Sequence, residues 1–351
     1  MIAKGRLWKI AGVILLIYVI LAGMLVPLKP GIEEVSPSSG KSGEMLHLEV
    51  TGYNVHFLQE ASSLRAWLKW PDGRALRASG VQVLSDRQVR LDFSIPSQLP
   101  EGPEVQAVTL LVDHPSDGTA VLPTAIFLTQ EEGGENLDTG VWEKPANFSK
   151  GPFFTFPYRN ILAETVRNTY FHVPLWFGMM FLFLAAVIHS VRHLRSGGRH
   201  SDQKAVAYTL TGILFGVLGL LTGAVWAKHT WGAYWSWDIK QNMTAVALLI
   251  YVAYFILRAS VDDPDRKGRV GAAYGIFAFS TLIPLLYVIP RLTDSLHPGS
   301  GGNPAFGSQD LDHTMRLVFY PAIIGWTLLG FWMASLWYRY LNLREKVEDF
   351  S

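Results

Sequence analysis

The chain contains no cysteine. That excludes disulfides, thiol redox chemistry, cysteine-ligated iron–sulfur clusters and a Cys-x-x-Cys-His covalent haem site. Charge is scarce too: Asp, Glu, Lys and Arg make up 17% of the 351 residues, against roughly 25% in an ordinary soluble domain. Acid and base nearly cancel at a net charge of +1, so no basic field points to nucleic acid. The runs Ser196-Gly197-Gly198 and Gly299-Ser300-Gly301-Gly302 lack the Lys-Ser/Thr of a nucleotide-binding loop and read as turns. What the chain does have is apolar surface: 49% of residues are hydrophobic and the mean hydropathy is +0.21.

Six apolar runs reach the length needed to cross a hydrocarbon core, about 20 residues. They lie near Ile10–Leu28, Val173–Val191, Ala205–Val225, Met243–Leu257, Val270–Ile289 and Leu317–Trp337, and the fourth is expected to start nearer Ile239. Their interiors hold no Asp, Glu, Lys or Arg, while Pro284 and Pro321 are placed to kink the last two. The first run follows Lys4, Arg6 and Lys9 as a signal peptide would, yet it is long and no Ala-x-Ala-like site follows. Residues 1–29 therefore read as a retained membrane anchor. Lys and Arg crowd alternate flanks (Arg192, Arg195, Arg199, Lys204; Arg258, Arg266, Lys267, Arg269; Arg339, Arg344, Lys346), and the opposite short loops carry only Lys228, Lys240, Arg291 and Arg316. The positive-inside rule then puts both termini in the cytoplasm, and puts the segments around 170, 231–238 and 290–316 outside.

Residues 30–130 read differently. Short β-like runs at Leu46–Val50, Val81–Leu84, Val89–Phe93 and Val108–Val112 are punctuated by turn signals at Pro37–Gly40, Pro71–Gly73 and Pro100–Gly102. This spacing predicts an extracytoplasmic β-sandwich, and the opening residues resemble immunoglobulin-like IPT/TIG domains. His47, His56 and His114 read as isolated surface residues of a packing or docking module. Residues 131–160, with Gly133-Gly134, Pro145 and Pro152, read as a linker back to the membrane domain at 161–351.

Between the third and fourth spans lies Trp231-Gly232-Ala233-Tyr234-Trp235-Ser236-Trp237-Asp238. In a helix, Trp231, Tyr234, Trp235 and Asp238 would share one face, an aromatic platform ending in a carboxylate. Such a platform suits a large planar ligand with polar edges; an interfacial aromatic belt accounts for the same residues. Two histidines bracket it. His172, in Tyr-Phe-His-Val-Pro, stands at the outer mouth of span two, and His297, in Leu-His-Pro-Gly, stands in the loop after span five. Taken singly, the first is an ordinary interfacial packing histidine and the second a solvated loop residue. Taken together they offer two imidazoles on one membrane face, and neutral imidazole suits haem iron.

The segment resembles the tryptophan-rich WWD signature, W-G-x-x-W-x-W-D, of the haem-handling proteins of cytochrome c biogenesis. With His-Val-Pro before it and Leu-His after it, the ordered set resembles the heme exporter protein C family. The resemblance implies haem b, bound non-covalently and transiently, with His172 and His297 as axial ligands beside Trp231, Gly232, Tyr234, Trp235, Trp237 and Asp238. It implies delivery of haem to a membrane-tethered chaperone (CcmE-type), with an ABC transporter complex (CcmA/CcmB-type) and a small accessory subunit (CcmD-type) as further partners. A haem–apocytochrome c synthase, an enzyme with more spans, and a haem permease subunit are the alternatives; no substrate chemistry of the chain's own is expected. Haem propionates require cations, for which Lys228, Lys240, Arg291 and Arg316 are the candidates. Asp238 reads as the cap of span four. His229 and His313 are spare histidines away from the ligand positions of the family, and His193 and His200 belong to a solvated basic loop. The expected fold is thus an all-α polytopic protein of six transmembrane helices with an inserted immunoglobulin-like β-sandwich. That insert departs from the family pattern.

Overall fold

The computed structural model describes residues 4–131, 142–297 and 311–348. The expected turn at Gly299–Gly302 and the linker glycines Gly133 and Gly134 lie outside them. The chain forms two compact units, one of Met1–Leu25 with Glu164–Ser351 and one of Val26–Ala163.

The first unit is helical: α1 (Leu7–Leu25), α2 (His172–Ser196), α3 (Arg199–Trp231), α4 (Ile239–Ala259), α5 (Pro264–Ile283) and α6 (His313–Glu348). With the turns that extend α2 and α5, all six are long and apolar enough to cross a membrane. Local chemistry sets their ends. Gly197 (φ 68°) and Gly232 (φ 84°) adopt the left-handed conformation that closes α2 and α3. Asp263 caps α5, accepting from the Arg266 amide at 2.7 Å, with Pro264 at the first helical position. Pro284 ends the regular α5; a π-turn (Pro284–Val288) and a 3-10 turn (Ile289–Arg291) continue it. Pro321, by contrast, sits within an unbroken α6.

Glycine allows α2 and α3 to approach closely. A methyl group built on Gly212, Gly216, Gly219 or Gly223 would fall 2.5, 3.0, 2.7 and 2.7 Å from Phe183, Met179, Trp176 and His172 respectively. Both sets follow an i, i+4, i+7, i+11 spacing, so one small-residue face of α3 receives one large-residue face of α2, in antiparallel register. The core around them includes Leu175, Leu182, Phe215, Leu248, Tyr251 and Leu282.

His193 is not part of a solvated loop. It is 5% exposed in the last turn of α2, its Nδ1 lies 3.1 Å from the Gly198 carbonyl, and it packs against Gly268 of α5. Beside it Arg258 grips Asp202 through two bonds of 2.7 Å. His200 is exposed, as expected.

The second unit contains β1 (Gly31–Ser36), β2 (Ser39–Lys41), β3 (Met45–Tyr53), β4 (Arg65–Lys69), β5 (Ala75–Arg77), β6 (Gly80–Val83), β7 (Gln88–Ser94), β8 (Val105–His114), β9 (Gly118–Thr129) and β10 (Trp142–Glu143). One sheet runs β1-β3-β7-β6, the other β10-β5-β4-β8-β9-β2. The second is mixed, because β2 joins β9 in parallel. Strand β3 buries alternate residues, as a half-buried strand does. Ile32, Leu48, Leu91 and Phe93 of the first sheet share one core with Leu68, Val108, Leu110 and Ile126 of the second. Trp142–Glu143, in the expected linker, pairs with Leu76 and Ala75 and is therefore sheet. The three histidines here are not isolated. His56 and His114 meet on Asp117 at 3.0 and 3.2 Å, His114 is 1% exposed, and His47 pairs with Asp92 at 2.6 Å.

Candidate functional site

The tryptophan-rich segment is not a helix. Only Trp231 is helical, as the last residue of α3; Gly232 then breaks the helix, and residues 232–238 run as an irregular loop to α4. No single face therefore carries Trp231, Tyr234, Trp235 and Asp238. The first turn of α4 ties the loop down. Gln241 accepts from the Ser236 amide at 3.0 Å, and Asn242 donates to the Trp237 carbonyl at 2.8 Å. Trp237 adopts φ 58°, unusual for a bulky residue, and is 79% exposed; Tyr234 is also exposed, with the Lys228 ammonium 5.8 Å from its ring. Trp235 meets Trp237 edge-on.

Asp238 caps α4 as expected, accepting from the Lys240 amide at 2.9 Å. It also holds a loop 57 to 59 residues away. The same buried carboxylate accepts from the Ser295 hydroxyl (2.9 Å), the Leu296 amide (2.8 Å) and His297 Nδ1 (2.8 Å). Burial opposes ionisation of Asp238, yet the bonds from His297 and Leu296 prevail and hold its carboxyl well below the usual carboxylate range. The His297 ring stands edge-on to Trp231 at 4.7 Å, with Trp226 beside it at 6.1 Å. Trp231 is thus a wall for His297.

His172, at the first turn of α2, is anchored in a parallel way. Its Nδ1 lies 3.0 Å from the Gly219 carbonyl and 3.1 Å from the Thr222 hydroxyl. A carbonyl only accepts, so Nδ1 carries the proton and Nε2 the lone pair. Carboxylate contact selects the same tautomer in His297. Each histidine is held through Nδ1 and presents Nε2 as its acceptor nitrogen.

Both line one cavity of about 360 Å³. Its walls come from α2 (Val173, Trp176, Phe177), α3 (Leu220, Gly223, Ala224), α4 (Gln241, Thr244) and the irregular end of α5 (Leu286, Tyr287, Pro290). Two cations reach it, Lys240 and Arg291; Lys228 and Arg316 do not. Tyr234, Trp235 and Trp237 do not line it, and His229 and His313 are exposed elsewhere. Sequence reading overlooked Trp176, four residues after His172 and so on the same helix face, and the glycine stripe of α3. Both signals are visible as helical spacing.

Fold and site define a multi-pass membrane protein with a histidine-lined cavity between its helices. Residues 150–350 match the model of the family described as heme exporter protein C, and the chain belongs to that family. Heme exporter protein C of Bradyrhizobium diazoefficiens is 30% identical over 168 residues, 48% of this chain and 63% of the relative, which is less than two thirds of its length. That of Escherichia coli strain K12 is 24% identical over 185 residues, 53% of this chain and 71% of its own. That of Haemophilus influenzae is 25% identical over 225 residues, 64% of this chain and 85% of its own.

Proposed function

We propose that the chain binds haem b non-covalently in the cavity at the outer face of the inner membrane and passes it to a membrane-tethered chaperone during cytochrome c biogenesis. The observation that carries this reading is the pair of imidazoles, His172 and His297, lining one cavity with each Nδ1 already engaged. Metal-binding histidines are oriented in this way by a carbonyl or carboxylate on the other nitrogen. The iron of haem supplies two axial positions for such nitrogens. Apolar walls suit the macrocycle, and Lys240 with Arg291 suits its propionates. Asp238 acts through His297 and Trp231 packs against that ring, whereas Gly232, Tyr234, Trp235 and Trp237 belong to the neighbouring loop, where the exposed Tyr234 and Trp237 offer a surface to the receiving chaperone. Transporter and small accessory subunits of the CcmA/CcmB and CcmD types complete the partner set that the family suggests. Lys/Arg asymmetry supports an outward-facing site with cytoplasmic termini. Strand orders β1-β3-β7-β6 and β5-β4-β8-β9 support an immunoglobulin-like sandwich, corresponding to A-B-E-D and C′-C-F-G.

The test is the absorption spectrum of the purified, haem-loaded protein. His172→Ala and His297→Ala should each lower haem retention and remove the two-imidazole signature, with partial rescue by added imidazole. His229→Ala and His313→Ala should leave it intact. Wild-type spectra from both of the first two variants would show that other residues ligate the iron.

A further inference from the structure

His172 Nε2 already has a partner: the indole Nε1–H of Trp176 donates to it at 3.2 Å, and the two rings meet edge-on with centroids 5.8 Å apart. An imidazole nitrogen has one lone pair in the ring plane. That pair accepts a hydrogen bond or binds iron, not both. Building on the proposed role of His172 as a haem ligand, we infer that Trp176 is a built-in competitor for the iron on His172, a positioning residue that lowers haem affinity and eases release.

The surroundings favour this role. Trp176 follows His172 by four residues on α2, so the helix itself sets the two rings one above the other. Gly219 confines the indole beside its donor nitrogen, since a methyl group there would fall 2.7 Å from Cζ2 and 2.8 Å from Cε2. Gly223 confines the imidazole likewise, 2.7 Å from Cε1. Both rings line the cavity, so haem arriving at His172 must displace the indole N–H, and haem leaving allows it to return. Release therefore exchanges an iron–nitrogen bond for a hydrogen bond, and no proton or electron changes owner.

The two histidines are unequal in this respect. His297 is backed by a carboxylate, the stronger of the two outer partners for a metal-binding imidazole, and His172 by a neutral carbonyl. Trp226 and Trp231 meet His297 through ring contacts. The weaker bond and the competing donor thus fall on the same side of the cavity. Haem transfer begins there, with His297 holding last.

The experiment uses the full chain in lipid nanodiscs, loaded with ferric haem, and follows haem loss to an excess of apomyoglobin. Trp176→Phe keeps an aromatic ring and removes the donor. Haem loss should slow by between about two- and ten-fold, the span of one net hydrogen bond, with the two-imidazole spectrum unchanged. In haem-free protein carrying ¹⁵N-histidine, the His172 Nε2 resonance should shift on Trp176→Phe. Unchanged or faster loss from Trp176→Phe, or an unmoved Nε2 resonance, overturns the proposal. His172→Ala separates the two levels of the argument. If it leaves the spectrum of the loaded protein unaltered, the ligand assignment fails, whatever Trp176 does. If it alters the spectrum while Trp176→Phe changes nothing, only the competitor role fails.

Discussion

His297 Nδ1 and the Asp238 carboxylate lie 2.8 Å apart, although 59 residues separate them in sequence. One carboxylate thereby starts α4, pins the loop after α5 and fixes the tautomer of a histidine facing the cavity. Asp238→Ala should cost the helix cap, about 1 kcal/mol, and weaken haem retention about ten-fold or more, as loss of an outer-shell partner does. Asp238→Asn should keep the cap and lose part of the affinity. The carboxyl of Asp238 is held below its ordinary value, so its contribution is present above that value, near pH 4, and is lost as the pH falls below it. Haem spectra should therefore stay constant from pH 7 to about pH 5. A transition between those limits that is absent in Asp238→Asn would contradict this.

The glycine stripe of α3 predicts a graded series. Gly223→Ala places a methyl group 2.7 Å from the His172 ring and should lower haem retention while the helices persist. Gly212→Ala instead meets the buried Phe183 at 2.5 Å and should act mainly on stability, by about 1–3 kcal/mol of overpacking. Thermal melts and Soret absorbance of the two variants separate these effects.

Lys240 and Arg291 are the two cations on the cavity wall. The double variant Lys240→Gln, Arg291→Gln should weaken haem binding about ten-fold in a Soret titration, the scale of charge-assisted bonds. Haem dimethyl ester, which carries no propionate charge, should bind both proteins alike. Equal weakening for both ligands would assign the cations a structural role.

Arg65 and Asp113 form an ion pair of the β unit, at 2.5 Å with Asp113 1% exposed. Burial opposes ionisation of Asp113, but bonds from Thr119, Arg65 and Ser149 outweigh it and hold its carboxyl below the usual range. Residues 26–163 expressed alone should give a β-type circular dichroism spectrum, a cooperative melt and no Soret band with haem. Arg65→Ala should cost about 1.5–3 kcal/mol, because Asp113 loses its cationic partner and keeps the bonds from Thr119 and Ser149. Stability of the unit should hold above about pH 4 and decline as acid protonates Asp113; Arg65→Ala should flatten that decline.

The spans were legible because length and apolarity are properties of a single segment. Asp238 was legible as a cap for the same reason, and the start of α4 at Ile239 follows from it. The platform was misread because its i, i+3, i+4, i+7 spacing assumes an uninterrupted helix, whereas Gly232 leaves the helix in a left-handed conformation. The cavity was only half legible. His172 and His297 carry the chemistry, but the Asp238–His297 bond depends on a loop brought back by α5, which no local pattern encodes. His193 was misplaced because its basic neighbours suggested solvent; burial against Gly268 is a property of packing between α2 and α5. In the β unit, β3 and β7 alternate cleanly, while β4 buries three consecutive residues and β9 is interrupted at Thr124 (φ 52°), so neither shows a clear period of two.

Leu28 and Phe156 form a parallel bridge, with the Lys29 amide 2.7 Å from the Phe156 carbonyl and the Phe156 amide 2.9 Å from that of Pro27. The strand-bearing segment therefore leaves and rejoins the chain at neighbouring points. Such an appendage is topologically a side branch: it lengthens the chain between α1 and α2 without asking those helices to move apart.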